Sequence, residues 1–269
     1  MKRIFLTIAT LLLVTCILSG CGVPEEEYNK VKSDLEATQI ELSQLQRDFT
    51  GLETNYNELE TRYDVLKAEL EQSLVPPYTA ISGREITWAF KDMDGNLREW
   101  TMPVDTYRSW IEMTKPGKTV LVNCNGRTYT MVDFRSYITP EVFNKVIPDF
   151  FSRCTDEQAF AHEMFNLVTQ LTVYSKEIGE VPRWSVETLT EAGGDCEDLA
   201  ILFASLLKAA PYPYKISLVY MDSNNPTDPQ KPNHVVVWVE AGDWKLFVDC
   251  TSDQGWDYYE RVVGWYFEL

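Results

Sequence analysis

The run Gly193-Gly194-Asp195-Cys196-Glu197-Asp198, followed at once by the strongly helical stretch 199–209, is the part of the sequence that says most about its fold. Asp195 is a good helix N-cap, and the paired glycines allow the incoming backbone to approach closely. Cys196 then falls in the first helical turn. Unpaired backbone N–H groups and the helix dipole stabilise an anion there, which lowers a thiol's pKa and makes a nucleophile. The carboxylates of Asp195, Glu197 and Asp198 oppose this, so a cationic partner is required. A cysteine at a helix start with no such partner is usually only packing.

The chain has two histidines. His162 lies in a helical stretch from about 155 to 174 with no motif nearby, which reads as a packing or surface residue. His234 follows the loop 221–233, which contains three prolines, and opens a strand at 234–240; a second strand, 244–250, follows at hairpin distance. Pairing Glu240 with Asp243 across an Ala241-Gly242 turn sets His234 directly opposite Asp249, on one face, with Cβ atoms about 5 Å apart. A carboxylate then orients an imidazole, and the imidazole can serve a thiol. The alternative makes Asp249 a turn residue after a core strand.

Three elements in this chain order, Gly194-Asp195-Cys196, then Asn233-His234-Val235, then Val248-Asp249 with Thr251, resemble the transglutaminase-like core. The resemblance covers roughly residues 155–255, and Pro182-Arg183-Trp184-Ser185-Val186-Glu187-Thr188-Leu189 is similar to the lead-in of bacterial and archaeal members. It implies an α+β fold of papain-like type, with a helix-borne cysteine packed on an antiparallel sheet. It also implies acyl transfer through Cys196, His234 and Asp249, as a cysteine peptidase or amidase (a hydrolase) or as a protein-glutamine acyltransferase. The backbone N–H of Cys196 would be one oxyanion donor, with Gln170 a candidate for the second. No cofactor is required. The Gly-Asp-Cys-Glu-Asp run is also similar to bacterial transglutaminase-like cysteine proteinases, some of which bind calcium beside the nucleophile. Asp195, Glu197 and Asp198 would supply the oxygens, although a cap and a solvated first turn explain them equally.

Upstream the pattern is different. Residues 25–74 repeat apolar side chains at a 3.5-residue period: Tyr28, Leu35, Leu42, Phe49, Tyr56, Tyr63 and Leu70 at a, with Val31, Leu45, Leu52, Leu59 and Leu66 at d, interrupted only by Thr38 and Ser73. This predicts a coiled coil, read as a stalk and a possible homo-oligomer; a long helix folded back on the domain is the other reading. Pro76-Pro77 ends it. Residues 1–20 read as an export signal, because Lys2 and Arg3 precede a fifteen-residue apolar run, Ile4 to Leu18, too short to span a bilayer. Leu18-Ser19-Gly20-Cys21 resembles the bacterial lipoprotein signal, which implies lipidation at Cys21. The expected organisation is signal peptide 1–20, lipidated N-terminus 21–24, coiled-coil stalk 25–74, proline linker 75–78, a small β-module 79–138 with turn signals at Asp94-Gly95 and Asn125-Gly126, and a transglutaminase-like domain 139–269.

The net charge of −17 argues against nucleic acid and anionic lipid surfaces as partners. Export implies an oxidising compartment, where Cys124, Cys154, Cys196 and Cys250 could pair, yet a nucleophilic Cys196 must stay free. The expectation is a lipid-anchored, extracytoplasmic enzyme of the cell envelope acting on a protein or peptide there. The competing expectation is a non-catalytic surface binding or assembly module of the same fold on a coiled-coil tether.

Overall fold

The computed structural model of the chain describes residues 24–73, 76–175, 181–251 and 256–269. The expected export signal and the Cys21 lipidation site lie outside these residues. The chain divides into two compact units, 1–73 and 74–269. Among the described residues no helix is long and apolar enough to cross a membrane.

The first unit contains α1 (Glu25–Ser73), one helix of 49 residues. Three glutamates in its first turn, Glu25, Glu26 and Glu27, complement the helix dipole. The seam side chains Tyr28, Val31, Leu35, Leu42, Leu45 and Phe49 are all 60–67% exposed, and the seam continues in the same way to Leu66. An apolar stripe of this length normally faces another helix.

The second unit begins with an antiparallel meander, β1 (Tyr78–Ser82), β2 (Glu85–Lys91) and β3 (Leu97–Pro103), in spatial order β1-β2-β3. After α2 (Val104–Ile111) comes a hairpin of β4 (Thr119–Cys124) and β5 (Arg127–Val132). Its turn has Asn125 at φ +50° and Gly126 at φ +75°, the left-handed pair that a primed two-residue turn demands. These strands share one core with the helices that follow. Ile86, Trp88 and Phe90 are fully buried in the same cluster as Phe160, Leu189 and Phe203, and Trp88 Nε1 donates to Leu189 O at 3.2 Å.

The helices are α3 (Ile147–Phe151), α4 (Glu157–Leu171), α5 (Ser185–Thr190) and α6 (Cys196–Lys208). Asp156 caps α4 by accepting from Ala159 N at 2.8 Å. Two short strands, β6 (Val173–Tyr174) and β7 (Gly193–Gly194), pair in parallel between α4 and α6. The main sheet is antiparallel, in order β10-β9-β8-β11, from β8 (Lys215–Met221), β9 (His234–Ala241), β10 (Trp244–Val248) and β11 (Gly264–Glu268). Helix α6 packs on β9 and β8. Strand alternation explains the layering: Val235, Val237 and Val239 join the large core with α6, while Val236 joins a smaller cluster with Val219, Met221 and Phe247. This is the α+β architecture expected, with a cysteine-bearing helix against an antiparallel sheet.

Candidate active site

The start of α6 is fixed by close contacts that its two glycines permit. Gly193 and Gly194 run beside Val173 and Tyr174. A Cβ on Gly194 would lie 2.5 Å from Asp198 Cβ, and one on Gly193 would lie 2.8 Å from Val173 O. Asp198, 1% exposed, turns back on the helix start: it accepts from Asp195 N at 3.4 Å and from Arg183 N at 2.7 Å. Arg183 Nη1 in turn donates to Gly193 O at 2.7 Å. The segment before α5 thus clips the loop that presents Cys196, a role that the sequence signal around Arg183 did not reveal.

His234 and Asp249 are brought together. His234 Nε2 lies 2.8 Å from Asp249 Oδ2, and the two side chains are 11% and 4% exposed. Asp249 Oδ1 accepts from Thr251 N at 3.0 Å and from Thr251 Oγ1 at 2.6 Å, so the carboxylate is held at both oxygens. Burial pushes the Asp249 pKa up, but the His234 hydrogen bond and charge and the two Thr251 bonds outweigh it, and the net shift is downward. Thr251 belonged to the sequence motif but had been given no part in it.

The route to this contact corrects the expected register. Trp244 pairs with Ala241, so the turn is Gly242-Asp243, not Ala241-Gly242. Gly242 has φ +58°, the conformation a type II′ turn requires at its first central position. The ladder is therefore offset by two residues, and Asp249, just past the last pair Val248–Val237, falls level with Val236 rather than with His234. An even offset preserves the face, so the pair meets on a diagonal instead of directly across.

Cys196 lies against the same strand: the Val235 N–H reaches its sulfur. Its thiol donates to Glu197 Oε2 at 3.3 Å. Among the described residues Cys196 and His234 share no hydrogen bond. Burial is the largest influence on the Cys196 thiol and raises its pKa; Glu197 raises it further, and the Val235 N–H pulls the other way. Glu197, 7% exposed, is pushed up to about 8 by burial first and by Asp195 beside it. Asp198 rises to about 6 through burial, restrained by Arg183.

Two further expectations change. Gln170 Nε2 donates to Lys91 O at 2.7 Å and to Asn166 Oδ1 at 2.8 Å, which uses both amide protons and leaves none for an oxyanion. Its role is to clip α4 to β2. As for calcium, no group of three or more His, Cys, Asp or Glu side chains among the described residues is placed to hold a metal ion. Both Asp198 oxygens serve backbone N–H groups and Glu197 faces the thiol, so Asp195, Glu197 and Asp198 do not form an oxygen cage here. Cys124, Cys154, Cys196 and Cys250 are all free thiols. His162 stacks on Trp256 at 4.8 Å between ring centres, the packing role expected of it.

Residues 145–260 match the family model of the transglutaminase-like superfamily. The chain carries a transglutaminase-like core. The matched segment of that core contains Cys196, His234 and Asp249. No curated protein matches the chain. Among solved structures, it is similar to a "Putative Cysteine Protease from Cytophaga hutchinsonii", with 20% identity and a TM-score of 0.36 over 43% of this chain and 38% of that one. It is also similar to a "Putative Protease" from Parabacteroides distasonis, with 13% identity and a TM-score of 0.33 over 68% of this chain and 40% of the other. The match thus spans about two fifths of the length of each.

Proposed function

We propose that the transglutaminase-like core is a cysteine enzyme that cleaves or transfers acyl groups at peptide or amide bonds, with Cys196 as nucleophile, His234 as general base and Asp249 as the group that orients the imidazole. The observation that carries this reading is the 2.8 Å contact between His234 Nε2 and Asp249 Oδ2, at the start of the strand that Cys196 touches. With Nε2 held by the carboxylate, Nδ1 is the nitrogen left to take the thiol proton. The thiolate adds to the carbonyl carbon, and the Cys196 backbone N–H supports the oxyanion. The C–N bond then breaks as the imidazolium returns its proton to the leaving amine. Water or a second amine resolves the thioester.

In this reading Cys21 is acylated, α1 is a stalk that associates through its apolar seam, and the substrate is a protein or peptide of the cell envelope. The support is the sequence: an apolar run ending at Cys21, followed by a long helix with an exposed heptad seam.

One observation favours a second reading, a non-catalytic binding module. The thiol is bonded to a carboxyl group with a raised pKa and not to the imidazole. Alkylation of the full chain by iodoacetamide near neutral pH separates the two. A working site requires Cys196 to react faster than Cys124, Cys154 and Cys250, and to slow in His234→Ala. Uniformly slow labelling, unaffected by the histidine, would overturn the enzymatic reading. Comparing envelope extracts treated with the wild type and with Cys196→Ala then identifies the substrate.

A further inference from the structure

Away from Cys196, a cavity of about 300 Å³ lies between the β2–β3 loop and the N-terminal half of α4. Its lining does not include Cys196, His234 or Asp249. Glu163 is part of its wall and is 6% exposed. One carboxylate oxygen, Oε2, accepts from Met93 N at 3.0 Å; the other, Oε1, is buried without a hydrogen-bond partner. Such an oxygen is costly, because burial removes its water and nothing in the protein replaces it.

The rest of the lining indicates what would satisfy it. Asp92 is already occupied, since it forms an ion pair with Arg98 and accepts from Asn96 N at 2.7 Å. Asp94 stands exposed at the rim. With Glu163 ionised, three carboxylates (Asp92, Asp94, Glu163) face two guanidinium groups (Arg98, Arg153), a net charge of −1. His162 adds no competing charge at neutral pH, because burial lowers its pKa, although Asp257 acts against this. Burial, Asp92 and Asp94 all push the Glu163 pKa up, and Met93 N–H and Arg98 oppose them. Phe150 and Ala159 provide an apolar wall. A metal ion needs several oxygen ligands at once, and no such group is present among the described residues. A cation that brings its own N–H donors needs only one strong acceptor and somewhere to lay a carbon chain.

We propose that this cavity is a second binding site, distinct from the Cys196 site, that takes a primary alkylammonium group such as a lysine side chain, with the Glu163 carboxylate turning toward the cavity to accept from it. The ammonium enters past Asp94, donates to Glu163 and rests its methylenes on Phe150 and Ala159.

The test uses the full chain carrying Cys196→Ala, so that an amine cannot be consumed by acyl transfer. Met93 lines the cavity and is one of seven methionines, so methyl-labelled methionine reports on the site by NMR. Titration with n-butylamine is expected to shift the Met93 methyl saturably, while n-butanol at the same concentrations leaves it in place. Glu163→Gln, which keeps the shape and removes the charge, is expected to weaken butylamine binding tenfold or more. A Met93 signal that does not move, that moves equally with butanol, or that saturates at the same amine concentration in Glu163→Gln would overturn the proposal. The amine–alcohol contrast needs no carboxylate variant and decides the matter alone if Glu163→Gln does not fold.

Discussion

The unit 74–269 contains two sets of a cysteine, a histidine and a carboxylate, and they differ in almost everything except composition. At the first, Cys196 opens a thirteen-residue helix, and His234 and Asp249 are joined at 2.8 Å with Thr251 holding the far oxygen. At the second, Cys154, His162 and Glu163 line one cavity, but His162 is spent stacking on Trp256 and Glu163 is bonded through one oxygen to Met93 N. Cys154 sits before the cap of α4 rather than within a helix, and burial, with Glu163 and Asp156, pushes its thiol up to about 11. The difference lies in what each imidazole touches. A ring bonded to a carboxylate has its second nitrogen aimed; a ring stacked on indole has no such partner to fix its tautomer.

The largest expected effect tests that contrast directly. Cys196→Ala should lower acyl-transfer or hydrolytic turnover about a thousandfold or more, and Cys154→Ala should leave it within about twofold, measured on the substrate that envelope profiling identifies. Equal losses in both would break the distinction. Next comes Asp249→Asn, which keeps the shape of the pair but removes the charge that fixes the tautomer. A drop of about a hundredfold to ten-thousandfold is expected, with alkylation of Cys196 slowing in parallel.

A smaller effect concerns Glu197. Its carboxyl holds a proton in the folded chain up to about pH 8, whereas an unfolded glutamate releases it near 4.5. The folded state therefore binds more protons across that interval, and stability falls as pH rises through it. Glu197→Gln cannot ionise, so it should be more stable than the wild type at pH 9 by up to about 5 kcal/mol in urea unfolding, with little difference at pH 4. Above about pH 8 the same variant removes an anion from beside the thiol and should speed Cys196 alkylation at pH 9 about tenfold. Slower alkylation would mean that Glu197 assists the nucleophile, which would reverse the electrostatic argument.

What could be read from the sequence follows from how local each determinant is. The helix start at Asp195, the need for a small residue at Gly194, the strand opening at His234 and the long helix over 25–73 are short-range matters, and the structure agrees with them. The hairpin register was legible too, but only if Gly242 is given the first central position of the turn; a glycine at the second position sent the ladder two residues astray. The His234–Asp249 contact survived because the slip was even. Long-range partners were not legible. Nothing near Gln170 says that Lys91, far away in the chain, will take both faces of its amide, and nothing near Trp88 says that its indole will donate to Leu189. The strands of 79–138 look self-sufficient because alternation records only that one face is buried, not against what.

The smallest expected effect sharpens the first of the two sites. Thr251 gives Asp249 Oδ1 two hydrogen bonds, from its backbone at 3.0 Å and its hydroxyl at 2.6 Å, and only the second can be removed by substitution. Thr251→Val keeps the volume and loses that bond, which should cost about 1 kcal/mol of stability and lower turnover about three- to tenfold. If the hydroxyl merely fills space, Thr251→Ser should be no better than Thr251→Val, because it lacks the methyl group. If it positions the carboxylate, Thr251→Ser should restore most of the rate, and the acid limb of the alkylation profile should shift only in Thr251→Val. Asp249 is held below its ordinary pKa partly by this hydroxyl, so its loss lets the carboxyl protonate at higher pH and releases His234 sooner as the solution is acidified.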